Sequence, residues 1–204
     1  MTGVATRERL VRAAEDELIR GQGHLEMQAV AKRAHVSAGL AYHHFGSKAG
    51  LIAAVVEDFY NRLDDAAFSG AGLPSDDWAA RERARIGAYV AFHYAHPFAP
   101  LVIGALSRAP EVLDVETAFT SRQLAAGARM IEKAQRDGIV SSAIDPHLTI
   151  ALMIGGIRQA LIGSLTRVPR PDPERLTHDI WAFIAAALRL KAAADAGAGR
   201  GGSA

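Results

Sequence analysis

Apolar residues recur at three- and four-residue intervals along almost the whole chain, and β-branched alternation is scarce, so the pattern predicts an all-α protein of about nine helices. The first helix runs from Ala5 to Arg20, with Leu10, Ala14 and Leu18 on one face, and Gly21 and Gly23 end it. Two short helices follow, Met27–Ala34 and Ala38–Phe45, joined by a tight turn over His35–Ser37. Ser47 is placed to cap a fourth helix, Lys48–Phe68. The Gly-, Ser- and Pro-rich stretch Ser69–Asp77 reads as a linker. Beyond it, helices are predicted over Trp78–Ala95, Phe98–Arg108 and Pro110–Asp137, the last stopped by Gly138. Asp145-Pro146 and Asp172-Pro173 combine an N-cap with a proline in the first turn, and they open helices over 146–167 and 173–191. The pattern divides the chain into a three-helix unit, residues 1–48, and a larger helical unit, 49–191, with the helix at 48–68 connecting them. A low-complexity tail over 192–204 reads as disordered.

Composition narrows the class without naming a function. Half of the 204 residues are hydrophobic and 22% are charged, as in a soluble globular protein. The chain has no cysteine, which excludes disulfides and thiolate metal sites. The first ten residues lack the apolar core of a leader peptide. The longest apolar run, Leu148–Ile157, is ended by Arg158 and falls short of the roughly 18 residues of a membrane span. These features predict a cytoplasmic protein with no membrane partner. Net charge is only +1, and residues 1–48 hold seven Lys/Arg against five Asp/Glu, so charge alone does not point to nucleic acid.

The local pattern does. Two short helices crossing steeply across a three-residue turn form a helix-turn-helix, whose second helix enters the DNA major groove. Close crossing needs small residues, supplied by Ala31 and Ala34, while Val30, Val36, Ala41 and Phe45 provide the apolar contacts. Ser37 can cap the second helix, and Tyr42, His43, His44 and Lys48 can all donate to phosphate oxygens. The segment VAKRAHVSAGLAYHHFGSKAGLIAAV resembles the signature of the tetracycline-repressor (TetR) family of bacterial regulators, above all at Val30-Ala31, Val36-Ser37, Gly39, Tyr42-His43-His44-Phe45 and Ser47-Lys48. The resemblance implies double-stranded DNA, in the form of a palindromic operator, as partner. Gln28 would stand close to the bases, where it could read adenine. Ser37, Ala38, Gly39 and Leu40 would form the groove-facing tip, and Tyr42, His43, His44 and Lys48 would grip phosphates. Three positions depart from the family pattern. His35 stands at a turn position usually held by glycine, Leu40 replaces a frequent threonine, and Ala38 is short. Direct base readers are therefore few, and DNA shape gains weight in recognition.

The resemblance also implies a homodimer and an unknown small-molecule effector. The helix at 146–167 is apolar nearly all round and carries Gly155-Gly156 and Ile157, and the last helix shows an apolar stripe through Leu176, Ile180, Phe183, Ile184 and Ala187. These residues are the candidates for a four-helix dimer interface. Candidates for effector contact crowd the centre of the chain: Tyr89, Phe92, His93, Tyr94, His96 and Phe98, joined by Arg122, Met130, Met153, Arg158 and Trp181. His93 and His96 share a helix face but have no third ligand, so no metal and no cofactor is expected. Arg158 interrupts the most apolar helix. A salt bridge across a dimer, exposure at a helix edge and recognition of an effector all remain open for it. An enzyme would need a phosphate loop, a nucleophile elbow or a carboxylate pair, and the sequence holds none of these. A DNA-binding regulator governed by a protein partner, or by no ligand, is the remaining alternative.

Overall fold

A computed structural model describes residues 3–69 and 77–190. The described residues form helices joined by turns, with no strand among them. Helix α1 (Gly3–Arg20) buries Leu10, Val11, Ala14 and Leu18, the stripe its periodicity predicts. It closes at Gly21, where a side chain would strike the His24 carbonyl at 2.2 Å, and Gly23 takes a φ of +97° that an L-residue resists. Helices α2 (Met27–Arg33) and α3 (Ala38–Phe45) follow. Ser47 then caps α4 (Lys48–Ala67), its hydroxyl accepting from the Gly50 amide at 3.0 Å. Most of the predicted linker lies outside the described residues, as does the predicted tail.

Helix α4 is the spine of the molecule. It packs on α1 and α3 to one side and on α5 (Trp78–Ala95) and α6 (Pro110–Arg136) to the other. One apolar cluster therefore runs unbroken from Leu10 through Leu51, Val55 and Phe59 to Phe92, Phe98 and Phe119. A second cluster fills the space between α5, α6, α7 (Pro146–Leu165) and α8 (Pro173–Ala187). Both Asp-Pro starts form as expected: Asp145 accepts from the Leu148 amide at 2.7 Å and Asp172 from the Arg175 amide at 2.9 Å. Gly138, with φ +73°, ends α6.

Two expectations need correction. Residues 98–108 do not form one regular helix. They take up a helical path only after Phe98, make a π-helical turn, Leu101–Ala105, and a 3₁₀ turn, Leu106–Arg108, and stop at Ala109, whose backbone is extended ahead of Pro110. The apolar segment of α7 is also longer than the run Leu148–Ile157. Among the described residues α7 is long and apolar enough to cross a membrane by length and composition. In this fold it packs along α6 instead, and its one charge, Arg158, pairs with Glu116 on that helix at 2.6 Å.

Candidate nucleic-acid interface and central cavity

The α2–α3 pair has the geometry that its sequence requires. Val30, Ala31, Ala34 and Ala41 are buried where the helices cross, so the two backbones approach closely. His35 holds the turn at φ +53°, the left-handed conformation expected of a residue in a glycine position. The Ser37 hydroxyl accepts from the Leu40 amide at 3.2 Å. Two ion pairs brace the unit: Arg33 to Glu17 and Arg62 to Glu15, both 2.6 Å. They tie α2 and α4 to α1 and commit Arg33 internally.

Outside this frame a set of side chains faces solvent. Gln28, Ser37, Gly39, Leu40, Tyr42, His43 and Lys48 are exposed, and Ala38 is half-buried. A side chain added at Gly39 would meet only the Ser37 hydroxyl at 4.0 Å, so the space it leaves lies outside the molecule. His44 is half-buried between His43 and Phe45. Phe45 packs on the core, with Arg7 5.4 Å from its ring centroid.

A cavity of about 930 Å³, open to solvent on one side, lies among α4, α5, α6, α7 and Ile184 of α8. Five expected residues line it: Tyr89, Arg122, Met130, Met153 and Arg158. Phe92, His93, His96, Phe98 and Trp181 do not. Phe92, His93, His96 and Phe98 surround Phe59 of α4 with ring centroids 5.2–6.3 Å away. Trp181 packs on the second cluster, and the Tyr94 hydroxyl donates to the Pro171 carbonyl at 3.1 Å. On α5 the positions 82, 86 and 89 face the cavity, and the face at 92, 93 and 96 has rotated onto α4.

Beside the expected Arg122 and Arg158, the polar side of the cavity carries acids that the sequence does not single out. Glu116 meets Arg158 at 2.6 Å, Gln123 donates to Asp64 at 2.6 Å, and Glu82 pairs with Arg85. Burial raises the carboxyl pKa of Glu82 and Glu116, while the paired arginines pull each back down. The Tyr60 phenol, stacked on Phe119, is pushed up to about 12, chiefly by burial. Arg158 therefore has its partner on the same chain. The signal available in sequence was the i,i+3 pair Glu82/Arg85 in an alanine-rich helix; Glu116 carried none.

His93 is 1% exposed and its Nδ1–H donates to the Tyr89 carbonyl at 2.8 Å. Burial holds its pKa down to about 4, from the ordinary histidine value of 6.5. The unfolded chain binds this proton first, so the neutral ring keeps its full contribution above about pH 6.5, and stability is lost as pH falls towards 4. The loss is about 3 kcal/mol across that window. Urea unfolding at pH 7.5, 5.5 and 4.5 should show a flatter profile for His93→Leu than for the native chain. Parallel profiles would refute the assignment.

On the outer face of α7 and α8, Gly155 and Gly156 are exposed, Ile157 and Ala187 are half-buried, and Phe183 is 63% exposed. Ile180 and Ile184, expected at a dimer interface, are buried within the subunit where α8 packs on α5, and Ile184 also lines the cavity. Leu148 and Leu152 stand exposed beside the glycines.

Comparison with known proteins agrees with this architecture. Residues 10–55 match the family model described as bacterial regulatory proteins, tetR family. No curated protein matches the sequence. Among solved structures, one from Rhodococcus sp., assigned to the TetR family of transcriptional regulators, is 23% identical with a TM-score of 0.70, covering 90% of this chain and 98% of its own. GusR of Salmonella enterica is 21% identical with a TM-score of 0.71, over 91% and 96% of the two chains. NalD of Pseudomonas aeruginosa, the secondary repressor of the MexAB-OprM multidrug efflux pump, is 15% identical with a TM-score of 0.70, over the same shares. At these identities the likeness is one of fold. Residues 10–55 thus match the tetR family of bacterial regulatory proteins, and the chain as a whole shares the helical fold of the solved TetR-family regulators.

Proposed function

We propose that this chain is a cytoplasmic DNA-binding transcriptional regulator rather than an enzyme. It acts as a homodimer on a palindromic operator and is released by a small molecule held in the central cavity, so that repression is its resting mode. The observation that carries this reading is the pairing of an exposed helix-turn-helix face with a cavity of about 930 Å³ on the same spine, α4. That volume lies at the upper end of the range for small-molecule sites and weighs against a regulator without ligand.

Each element has a role. The tip from Ser37 through Ala38 and Gly39 to Leu40 faces the groove, with α3's first amides turned to DNA. Gln28 reads a base, and Tyr42, His43, His44 and Lys48 hold phosphates. Two such heads must sit about 34–36 Å apart to read successive major grooves. Tyr60 of α4 lines the cavity, and two residues on Arg62 holds Glu15 of α1. A ligand that shifts α4 thereby shifts the head, and its preference for one head spacing sets the coupling.

Selection of random duplexes with the purified protein, followed by binding titrations over a salt series, tests the reading. A palindrome bound with a steep salt dependence is expected. Lys48→Ala should weaken all sequences alike and lower the salt slope by about 1. Gln28→Ala should cost about 1–3 kcal/mol at one base pair per half-site and relax specificity there. Failure to enrich any sequence would overturn the reading.

A further inference from the structure

We infer that the ligand of the central cavity is an amphipathic organic anion, with an apolar body inside and a carboxylate or phosphate head held at the mouth by Arg122 and Arg129. The inference rests on the cavity being the effector site. It concerns the sign of the ligand's charge, which the arrangement of lining groups decides.

Two of the three lining acids are already paired with arginines. Asp64 accepts from Gln123, Glu82 is held by Arg85, and Glu116 by Arg158. Glu82 and Glu116 have side chains only 8% and 15% exposed, so a cationic group that sought either would have to take a carboxylate from its arginine and leave that arginine uncompensated, and only Asp64, bonded to the neutral Gln123 amide, stands outside this constraint. An anion meets no such cost. Arg122 and Arg129 both line the cavity, both are exposed, and neither makes an ion pair among the described residues. They are seven residues apart on α6, about 10 Å along its axis, with Ala125 and Ala126 between them on the same stripe. Those small side chains leave the opening unobstructed on the α6 side, as does Ala151 on α7. The Arg122 guanidinium carbon lies 5.9 Å from the ring centroid of Phe119, itself a lining residue.

The body of the ligand follows from the walls. The α6 face from Glu116 to Met130 runs for about 21 Å, and Ile86, Leu124, Ile150, Met153 and Ile154 cover most of the surface between its polar ends. An apolar chain or ring system gains burial there, while its head stays where solvent and the two guanidinium groups meet it.

Isothermal titration with decanoate, decyl phosphate, decan-1-ol and decylamine, all below their aggregation limits, tests this. The anions should bind about tenfold more tightly than the alcohol at low salt, with the amine weakest, and the preference should fade as salt rises. Decanoate against decyl phosphate identifies the head group. In R122Q/R129Q, both exposed positions that leave the fold intact, the anions should fall to the alcohol's affinity while the alcohol itself stays within twofold. Alcohol binding without an anion preference, a preference that survives R122Q/R129Q, or an amine that binds as tightly as decanoate would each overturn this inference and leave the cavity reading standing. Failure of all four probes would overturn both.

Discussion

Replacing Phe59 by alanine is expected to remove about 4 kcal/mol of folding stability. Phe59 is fully buried on α4, and its ring meets Tyr60, Phe92, His93, His96 and Phe98 with centroids 5.2–6.3 Å apart. Truncation forfeits the transfer energy of the ring and leaves a hole that five neighbours, each fixed by other contacts, cannot collapse to fill. A domain of this size has roughly 5–15 kcal/mol to lose, so the change takes a large part of the margin. Its melting temperature should fall by about 10 °C. Phe59→Leu keeps most of the volume and should cost under half as much. Urea unfolding of the three proteins at one fixed concentration measures this. A loss under 1.5 kcal/mol for the alanine variant (roughly what a loosely packed site would give) would show that the aromatic cluster is not the joint between head and cavity unit.

The same cluster marks where sequence reading stopped working. Helix ends were legible because their causes are local: Ser37, Ser47, Asp145 and Asp172 each accept a backbone amide from three residues on, and Gly138 takes the positive φ that ends α6. The helix-turn-helix was legible for the same reason, down to the strained turn at His35. What periodicity could not tell was which neighbour each face of α5 would meet. Tyr89 looks into the cavity while Phe92, His93 and His96 press on Phe59, a partner more than thirty positions away. Glu116 gave no signal in the sequence because Arg158, which draws it inward, lies on another helix. Ile180 and Ile184 share a stripe with Phe183 in sequence, yet α5 covers the first two and leaves the third outside.

That uncovered side chain motivates the second large effect. Phe183 at 63% and Leu152 at 64% exposure stand with Leu148 around Gly155 and Gly156, where the absence of side chains lets another helix approach closely. In the proposed homodimer this face meets its own symmetry mate. L152E/F183E should leave the chain folded, since exposed positions away from the core change stability by little. Association should be abolished, because each glutamate would face apolar side chains and a like charge across the two-fold axis. Operator affinity should then fall by at least about 100-fold, as one head loses the effective concentration its partner supplies. Leu113→Glu, which places the same charge at an exposed apolar position on α6, is the control and should change neither property. Sedimentation velocity reads the assembly and anisotropy titration reads the DNA. The residual affinity of the double variant should keep the salt dependence of one head while losing preference for the palindrome, because phosphate contacts survive in a monomer and half-site spacing does not. A double variant that still sediments as a dimer would place the interface elsewhere on the molecule. A monomer that still selects the full palindrome would show that this protein reads DNA without pairing through α7 and α8.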